Sequence, residues 1–551
     1  MKKDKLFLFL LLVALASACI VPAQLPLLTA TVTGPAALDT VSFTLTPPAV
    51  LAQPSETPLP SLPAPMASPT ASWMVHPALA TSGPYLVYQK DAGNVPDIVF
   101  LDANGLGQKI IPYPADASPE SSYIPVDKKI SPDGKWLAYY SGSAGQCMGN
   151  GLTNGSDLAL HLLDLASGET RFITKLLSAD YPANFEKAAR ELGLRDVTAA
   201  SLQNAFVCGI NLSVAWSPDG KTLAFAGQMD GLSSDLYVYD VTKGTFKRMS
   251  SGPQEVQSIS WSADGKWIID ESSYTYGEGM KTTSYYTKAD GSSIQQFSEN
   301  APPLNGSPRW LNDHLYFEDK YLEMVGRYDL KVLDINSGKT VEVWKGMYDS
   351  LAFLPGGNWM AFYARTAVWP EPNPANFTPA LYLIDLTSFR QTRIELPVNP
   401  DIDIFQIEPI SSAGGMKFLV RPAGDDQEIY FLSTDGTLEA TGIRPAWAFF
   451  VSPDSTQWLA INTQLQFFWG DGRPAQAIDL PPNLKGKHIS PVVWRPDNTG
   501  VFFAYGAQVG EDYSLSGLYA VDFSKGNVVM VDEFPTAMIS LPDSIWVDVP
   551  K

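Results

Sequence analysis

Four histidines, three cysteines and scattered acids are the residues of this 551-residue chain with the types to do chemistry. His76, His161, His314 and His488 are far apart in sequence and none belongs to an HExxH motif. The spacing that sets two imidazoles on one helix face for zinc is therefore missing. His161 lies inside the apolar run "LHLLD", where a hydrogen-bonded core histidine is the expectation. No GxSxG occurs, which removes the strained turn that presents a hydrolase serine. "WGDGRP" and "STDGT" read as turns and lack the DxDxDG spacing of a calcium loop. Asp401 and Asp403 read as solvated loop acids. The sequence thus assigns no catalytic residue, no metal ligand and no cofactor.

The cysteines point to compartment instead. "MKKDK", "LFLFLLLVA" and "LASAC" follow one another as a basic start, a short apolar core and a small-residue stop, the layout of a secretory signal over residues 1–18. The apolar run is shorter than the ~20 residues a membrane span needs. Cys19 directly after Ala-Ser-Ala resembles a bacterial lipobox, so the expectation is a thiol acylated at the mature N-terminus and anchored in a lipid bilayer. Ile20 follows it, where an inner-membrane retention signal would have Asp. With Cys19 so used, Cys147 and Cys208 remain as an even pair in an oxidising compartment. A disulfide between them and two buried free thiols are both open readings.

Residues 19–80 are rich in Pro, Ser, Thr and Ala, as in "TPPAVLAQPSETPLPSLPAPMASPTAS". Such a stretch cannot bury enough surface to fold and reads as a semi-stiff tether. From residue 81 to 551 aromatics, Val, Ile and Leu alternate with Gly, Asp, Asn and Ser turn clusters, a β-rich signature. Formal charge is −20, and −22 without residues 1–18, which hold three Lys and one Asp. So acidic a chain is a poor partner for nucleic acid or an anionic surface.

The elements that must position any site repeat. "SPDGKWLAYYSG" from Ser131 returns as "SPDGKTLAFAG" from Ser217, "SADGKWIIDES" from Ser262, "LPGGNWMAFYA" from Leu354, "SPDSTQWLAIN" from Ser452 and "RPDNTGVFFAYG" from Arg495. Pro presets φ for the turn and Gly accepts a positive φ. A second hairpin follows each, as in "LYVYDVTKGTFKRM" and "LKVLDINSGKTVEV". Turn residues Asp219, Asp264, Asp313, Gly356, Gly414, Asp454 and Asp497 are separated by 45, 49, 43, 58, 40 and 43 residues. Four strands per period of this length predict an all-β propeller. Nine second hairpins against eight first ones predict about nine blades, with eight as the alternative. The unpaired "DSIWVDV" at 543–549 should close the ring by pairing with the N-terminal blade, which begins at "PYLVYQK" without an inner strand.

"AWSPDGKTLAF" at 215–225 and "SWSADGKWII" at 260–269 resemble the TolB-like propeller repeat, an aromatic before SPDGK and a hydrophobic strand after it. The resemblance covers most of residues 84–535 and implies the fold of the repeat alone. TolB carries a folded domain ahead of its propeller where this chain has its tether, so TolB's partners do not transfer.

In a propeller the turns after the first and third strands open on one face and those after the second and fourth on the other. The SPDG and SGK turns are short. Insertions gather on the opposite face at 141–157, 272–283, 365–380 and 506–517 after second strands, and at 176–211 after a fourth. The last contains "ANFEKAARELGL", whose Phe185, Ala188 and Leu192 have helical spacing. Long loops on one side of a rigid scaffold are where binding residues usually sit. Tyr274, Tyr276, Trp369 and Tyr513 are the aromatics expected to contact a ligand there, packing within their own loops being the competing role. The expected function is a non-catalytic, surface-tethered lipoprotein, outside the cytoplasm at the cell surface or in the periplasm, binding a protein or glycan. The rival is a propeller hydrolase or lyase with acids and histidines around the central channel.

Overall fold

The computed structural model describes residues 74–75, 83–90, 96–105, 107–142, 157–177, 212–229, 234–251, 255–274, 281–299, 309–311, 314–322, 327–346, 348–364, 379–396, 404–422, 427–444, 449–461, 464–482, 484, 488–509, 512–533 and 539–547. They form nine antiparallel sheets. Blades 3 to 9 each have four strands in chain order, running Val214–Arg248, Glu255–Glu299, Arg309–Lys345, Tyr348–Ile394, Ile404–Ala440, Phe449–Asp479 and His488–Glu533. The ring is a nine-bladed propeller, as the hairpin count predicts.

Blade 1 supplies the closure. Its strands Tyr85–Lys90, Asp97–Asp102 and Gln108–Ile111 take Ile539–Val547 as their innermost member, and Met74–Val75 adds an outer edge. Tyr85 pairs with Val547, Leu86 with Trp546 and Val87 with Ile545. The expected C-terminal strand is therefore in place.

Blade 2 departs from the four-strand expectation. Strands Trp136–Ser141, Ala159–Asp164 and Thr170–Lys175 lack an inner partner. Two isolated bridges, Ala117 to Ser141 and Ile130 to Leu137, flank a 3-10 turn at Pro119–Tyr123 and a single α-turn at Val126–Lys129. Pro119 and Pro125 preset helical entry and each lacks an N–H, so a ladder through "PESSYIPVDKK" is broken twice. This is helix that residue spacing did not reveal; the helix expected at 185–192 lies outside the described residues.

The repeated phrase has a local purpose. In four copies the serine hydroxyl donates to the turn aspartate, at 2.5 Å for Ser131–Asp133 and 2.7 Å for Ser217–Asp219, Ser262–Asp264 and Ser452–Asp454. The same oxygen accepts the N–H that restarts the strand, from Trp136, Thr222, Trp267 and Gln457. Gly134, Gly220 and Gly265 supply the positive φ; Ser455 and Asn498 adopt it in the degraded copies. Aspartates of the third-to-fourth turns behave likewise. Hydrogen bonds from Thr387 and Ser524, first among the causes, hold the carboxyls of Asp385 and Asp522 down at about 2. These turns satisfy most of their own polar groups; Arg495 Nε and Asn498 Oδ1 in the RPDN copy have no hydrogen-bond partner.

Two tryptophans that precede SPDG-type turns, and Trp546 of the closing strand, stitch blades together. The indole N–H of Trp216 donates to the carbonyl of Lys129, Trp261 to Ala215 and Trp546 to Trp494, each 2.9–3.0 Å and each reaching the preceding blade. Nine apolar clusters fill the nine seams between consecutive blades, the last joining Leu86, Tyr88, Val99 and Leu101 to Phe502, Ala504, Leu518 and Ala520. One four-stranded sheet would leave both faces wet; stacking in a ring buries them.

Candidate functional site

The polar residues that differ from blade to blade collect at the ends of the second strands, on the insertion face. Two of the expected insertions there are prolonged hairpins rather than loops. Ser272 pairs with Thr283 and Tyr274 with Lys281 in blade 4; Gln508 pairs with Tyr513 and Val509 with Asp512 in blade 9. Alternating Ser, Thr, Tyr and Val carry the ladder outward because these side chains suit a pleated strand. Tyr274 and Tyr513 thus stand on strands, although their side chains lie outside the described residues. Tyr276, Trp369, Cys19, Cys147, Cys208, Asp401, Asp403 and the segment 178–211 also lie outside them.

At the seam of blades 1 and 2 a polar and aromatic row runs outward from the inner edge. Lys129 is 0% exposed; its ammonium donates to Gln89 Oε1 at 2.5 Å and to the Ser121 carbonyl at 3.2 Å, and sits 5.5 Å from the Tyr113 ring. Tyr113 meets Tyr139 edge-on at 6.4 Å, Tyr139 stacks on His161 at 5.1 Å and His161 meets Phe172 edge-on at 5.4 Å. The expected hydrogen-bonded histidine is found: Ser141 Oγ lies 2.7 Å from His161 Nε2. Burial lowers the His161 pKa, and the charge of Asp116 partly restores it.

The seam of blades 3 and 4 carries an unusual acid. In three other copies the second strand places Tyr139, Phe225 or Phe362 where blade 4 has Asp270. Ile268, two residues earlier on the same face of the strand, packs with Ala215, Ala224 and Ala226 of blade 3. Asp270 is 1% exposed, and burial, reinforced by the Glu271 charge, raises its pKa to about 7. Ser272 donates to its Oδ2 at 3.0 Å, whereas Oδ1 has no hydrogen-bond partner. Thr287 Oγ1, Ser234 Oγ and both amide atoms of Gln228, all buried, also lack one. Glu271 faces the other way, toward blade 5; burial raises its pKa and the Ser258 hydroxyl, 2.8 Å away, partly offsets this. Sequence reasoning passed over this cluster, but its signal was visible: "WIIDES" breaks an apolar strand with two adjacent acids.

The seam of blades 9 and 1 is locked by Lys90, whose Nζ lies 2.8 Å from both carboxylate oxygens of Asp532, with the Tyr88 hydroxyl donating at 3.2 Å. Along the inner strands, Glu408 is the one carboxylate or basic group among the described side chains; Gln257, Ser258, Ser260, Gln406, Ser411 and Ser412 are neutral. Among the described residues no cluster of three His, Cys, Asp or Glu side chains has the geometry to hold a metal ion.

No family model matches the chain. A curated relative, an uncharacterized peptidase YuxL of Bacillus subtilis, is 26% identical over 152 residues, which cover 27% of this chain and 21% of that one. The match therefore spans about a fifth of the relative's length. Among solved structures the chain is similar to dipeptidyl peptidase 4 of Porphyromonas gingivalis, with TM-score 0.40 and 11% identity over 58% of this chain and 53% of that one. It is also similar to TolB of Acinetobacter baumannii, with TM-score 0.25 and 13% identity over 62% and 79%. The chain is a nine-bladed β-propeller. The propeller's distinguishing chemistry is its own: one face of self-satisfied turns, and one face where each blade ends differently.

Proposed function

We propose that this propeller is a membrane-tethered binding protein whose insertion-rich face takes a protein or glycan ligand. The observation that carries this reading is the asymmetry of the two faces. In four described SPDG-type turns the serine and aspartate bond within the turn, and the aspartates of the described third-to-fourth turns accept from their own loops, leaving little to offer a partner. The opposite face carries the insertions, two raised hairpins and the blade-specific polar residues, and a rigid ring holds them at fixed spacing.

The test is capture by cross-linking from intact cells, comparing faces. Replacing 365–379 or 143–156 by a short Gly-Ser turn should cut recovery of the cross-linked partner at least tenfold with little change in melting temperature. Charge reversal at Lys221 and Lys243 on the trimmed face should leave recovery unchanged. If the trimmed-face variants lose the partner and the loop variants keep it, the assignment of the face is wrong.

The tether belongs to the same proposal. Cleavage before Cys19 and acylation of its thiol would place the ring at the membrane surface on a Pro-rich stalk. Mass spectrometry of the mature protein should find a lipid-modified Cys19 at the N-terminus and, in the non-reduced digest, a peptide linking Cys147 to Cys208. An unmodified Cys19 sinks the anchor; free thiols at both other positions sink the bridge.

A further inference from the structure

We propose that Ser141 and His161 form a nucleophile–base pair for acyl transfer, hydrolysing small carboxylic esters at the outer end of the seam between blades 1 and 2. The inference rests on geometry. Ser141 ends the second strand of blade 2 and His161 lies on the third; Tyr139 pairs with His161 and Ser141 with Ala159. The serine therefore reaches the imidazole diagonally across the ladder, and Oγ stands 2.7 Å from Nε2. That contact is within the range in which a general base takes a hydroxyl proton.

The ring is held by stacking on Tyr139, with planes 22° apart, and by the edge contact with Phe172, at 76°. This fixes the direction of Nε2. Burial lowers the His161 pKa and so favours the neutral imidazole a base requires, while the nearby Asp116 charge favours the imidazolium that forms once the proton arrives. Asp116 precedes Ala117, which bridges to Ser141, so the acid is tied to the same strand end. Both Ser141 and His161 are only partly buried, and Phe172 beside them is 42% exposed, an apolar shelf open to solvent. Gly142 follows with φ +83°, and a Cβ there would lie 2.7 Å from the Asp157 carbonyl oxygen. Only glycine turns the chain at this point without a clash.

The chemistry balances with water as the second substrate. Ser141 Oγ bonds to the ester carbonyl carbon as its proton passes to His161 Nε2. The bond from that carbon to the alkoxy oxygen breaks, and the alcohol leaves with the proton from Nε2. Water then attacks the acyl-serine with His161 again as base, releasing the carboxylic acid and restoring the hydroxyl.

The experiment uses the full chain with p-nitrophenyl butyrate and a fluorophosphonate probe. Wild type should hydrolyse the ester at least a hundredfold faster than Ser141→Ala, and the probe should be found on Ser141 by peptide mass spectrometry. His161→Gln, which keeps a hydrogen-bonding side chain in the seam, should lose both signals by a similar factor while melting like wild type. Asp116→Asn should slow hydrolysis severalfold and move the acid limb of the rate profile to lower pH, because the charge that favours imidazolium is gone. Equal rates for wild type and Ser141→Ala, or a folded protein with no probe on Ser141, would overturn the proposal and leave the pair as a seam-filling hydrogen bond.

Discussion

Asp270→Asn should melt several degrees above the wild-type protein at pH 8 and close to it at pH 4.5. The folded state holds the Asp270 proton up to about pH 7, whereas an exposed aspartate loses it near 3.8. A carboxyl whose pKa is raised on folding stabilises the protonated native state at low pH, and that advantage is lost as pH rises. Wild-type stability should therefore fall between about pH 4 and 7 and stay low above that. A gap of some three pH units corresponds to about 4 kcal/mol, an upper figure. Asparagine has the same shape and no charge, and its amide oxygen can accept from Ser272 as the carboxylate does. Its NH2 group needs partners of its own, which returns about 1–2 kcal/mol. The net gain expected at pH 8 is about 2–3 kcal/mol. Melting curves of both proteins from pH 4 to 8 decide the matter. A difference that does not change with pH, or a variant less stable at pH 8, would show that Asp270 stays ionised in the fold.

Removing residues from Ile539 onward should cost more than any single substitution in the ring. The lost strand pairs with Tyr85–Lys90, so its deletion leaves the second strand of blade 1 as a bare edge. It also takes away Trp546, whose indole donates to the Trp494 carbonyl at 2.9 Å and whose ring lies 5.9 Å from Phe502. Across that seam the Lys90–Asp532 pair with Tyr88 would remain, together with the apolar contact of Leu86, Val99 and Leu101 with Phe502, Ala504, Leu518 and Ala520. Trp546→Ala alone should destabilise by about 3 kcal/mol, the lower end for a large aromatic because this one is only partly buried. The truncated chain should elute as oligomers, since an open edge recruits other strands, and should be cut by protease in blades 1 and 9 first. A truncated chain that stays monomeric and melts within two degrees of wild type would mean that packing alone holds the ring closed.

Much of the fold was legible because its causes are local. The Ser–Pro–Asp–Gly turn is specified within four residues by a fixed φ, a hydroxyl and a glycine, and its period repeats along the chain. Closure was legible too, since an N-terminal unit without an inner strand and a C-terminal strand without a sheet complete each other. The raised hairpins of blades 4 and 9 read as loops because Ser, Tyr and Gly mark turns as readily as they fill strands. Blade 2 was harder. Its inner strand gives way to two short helical turns because Pro119 and Pro125 interrupt the ladder, and only the surrounding blades make that substitution tolerable.

The sequence by itself determined the blade, the trimmed face and the place of the insertions, since each follows from turn chemistry and period-two strands; nine blades rather than eight came from the structure. The tertiary structure decided which polar residues meet. Ser141 and His161 touch because an antiparallel register sets Tyr139 opposite His161. Lys90 finds Asp532, 442 residues away, because the ring closes at that seam. Asp270 has its raised pKa because the fold buries it on the strand face whose Ile268 packs against blade 3. Contacts between residues so far apart depend on the summed twist of nine stacked sheets, and no window of sequence contains that sum.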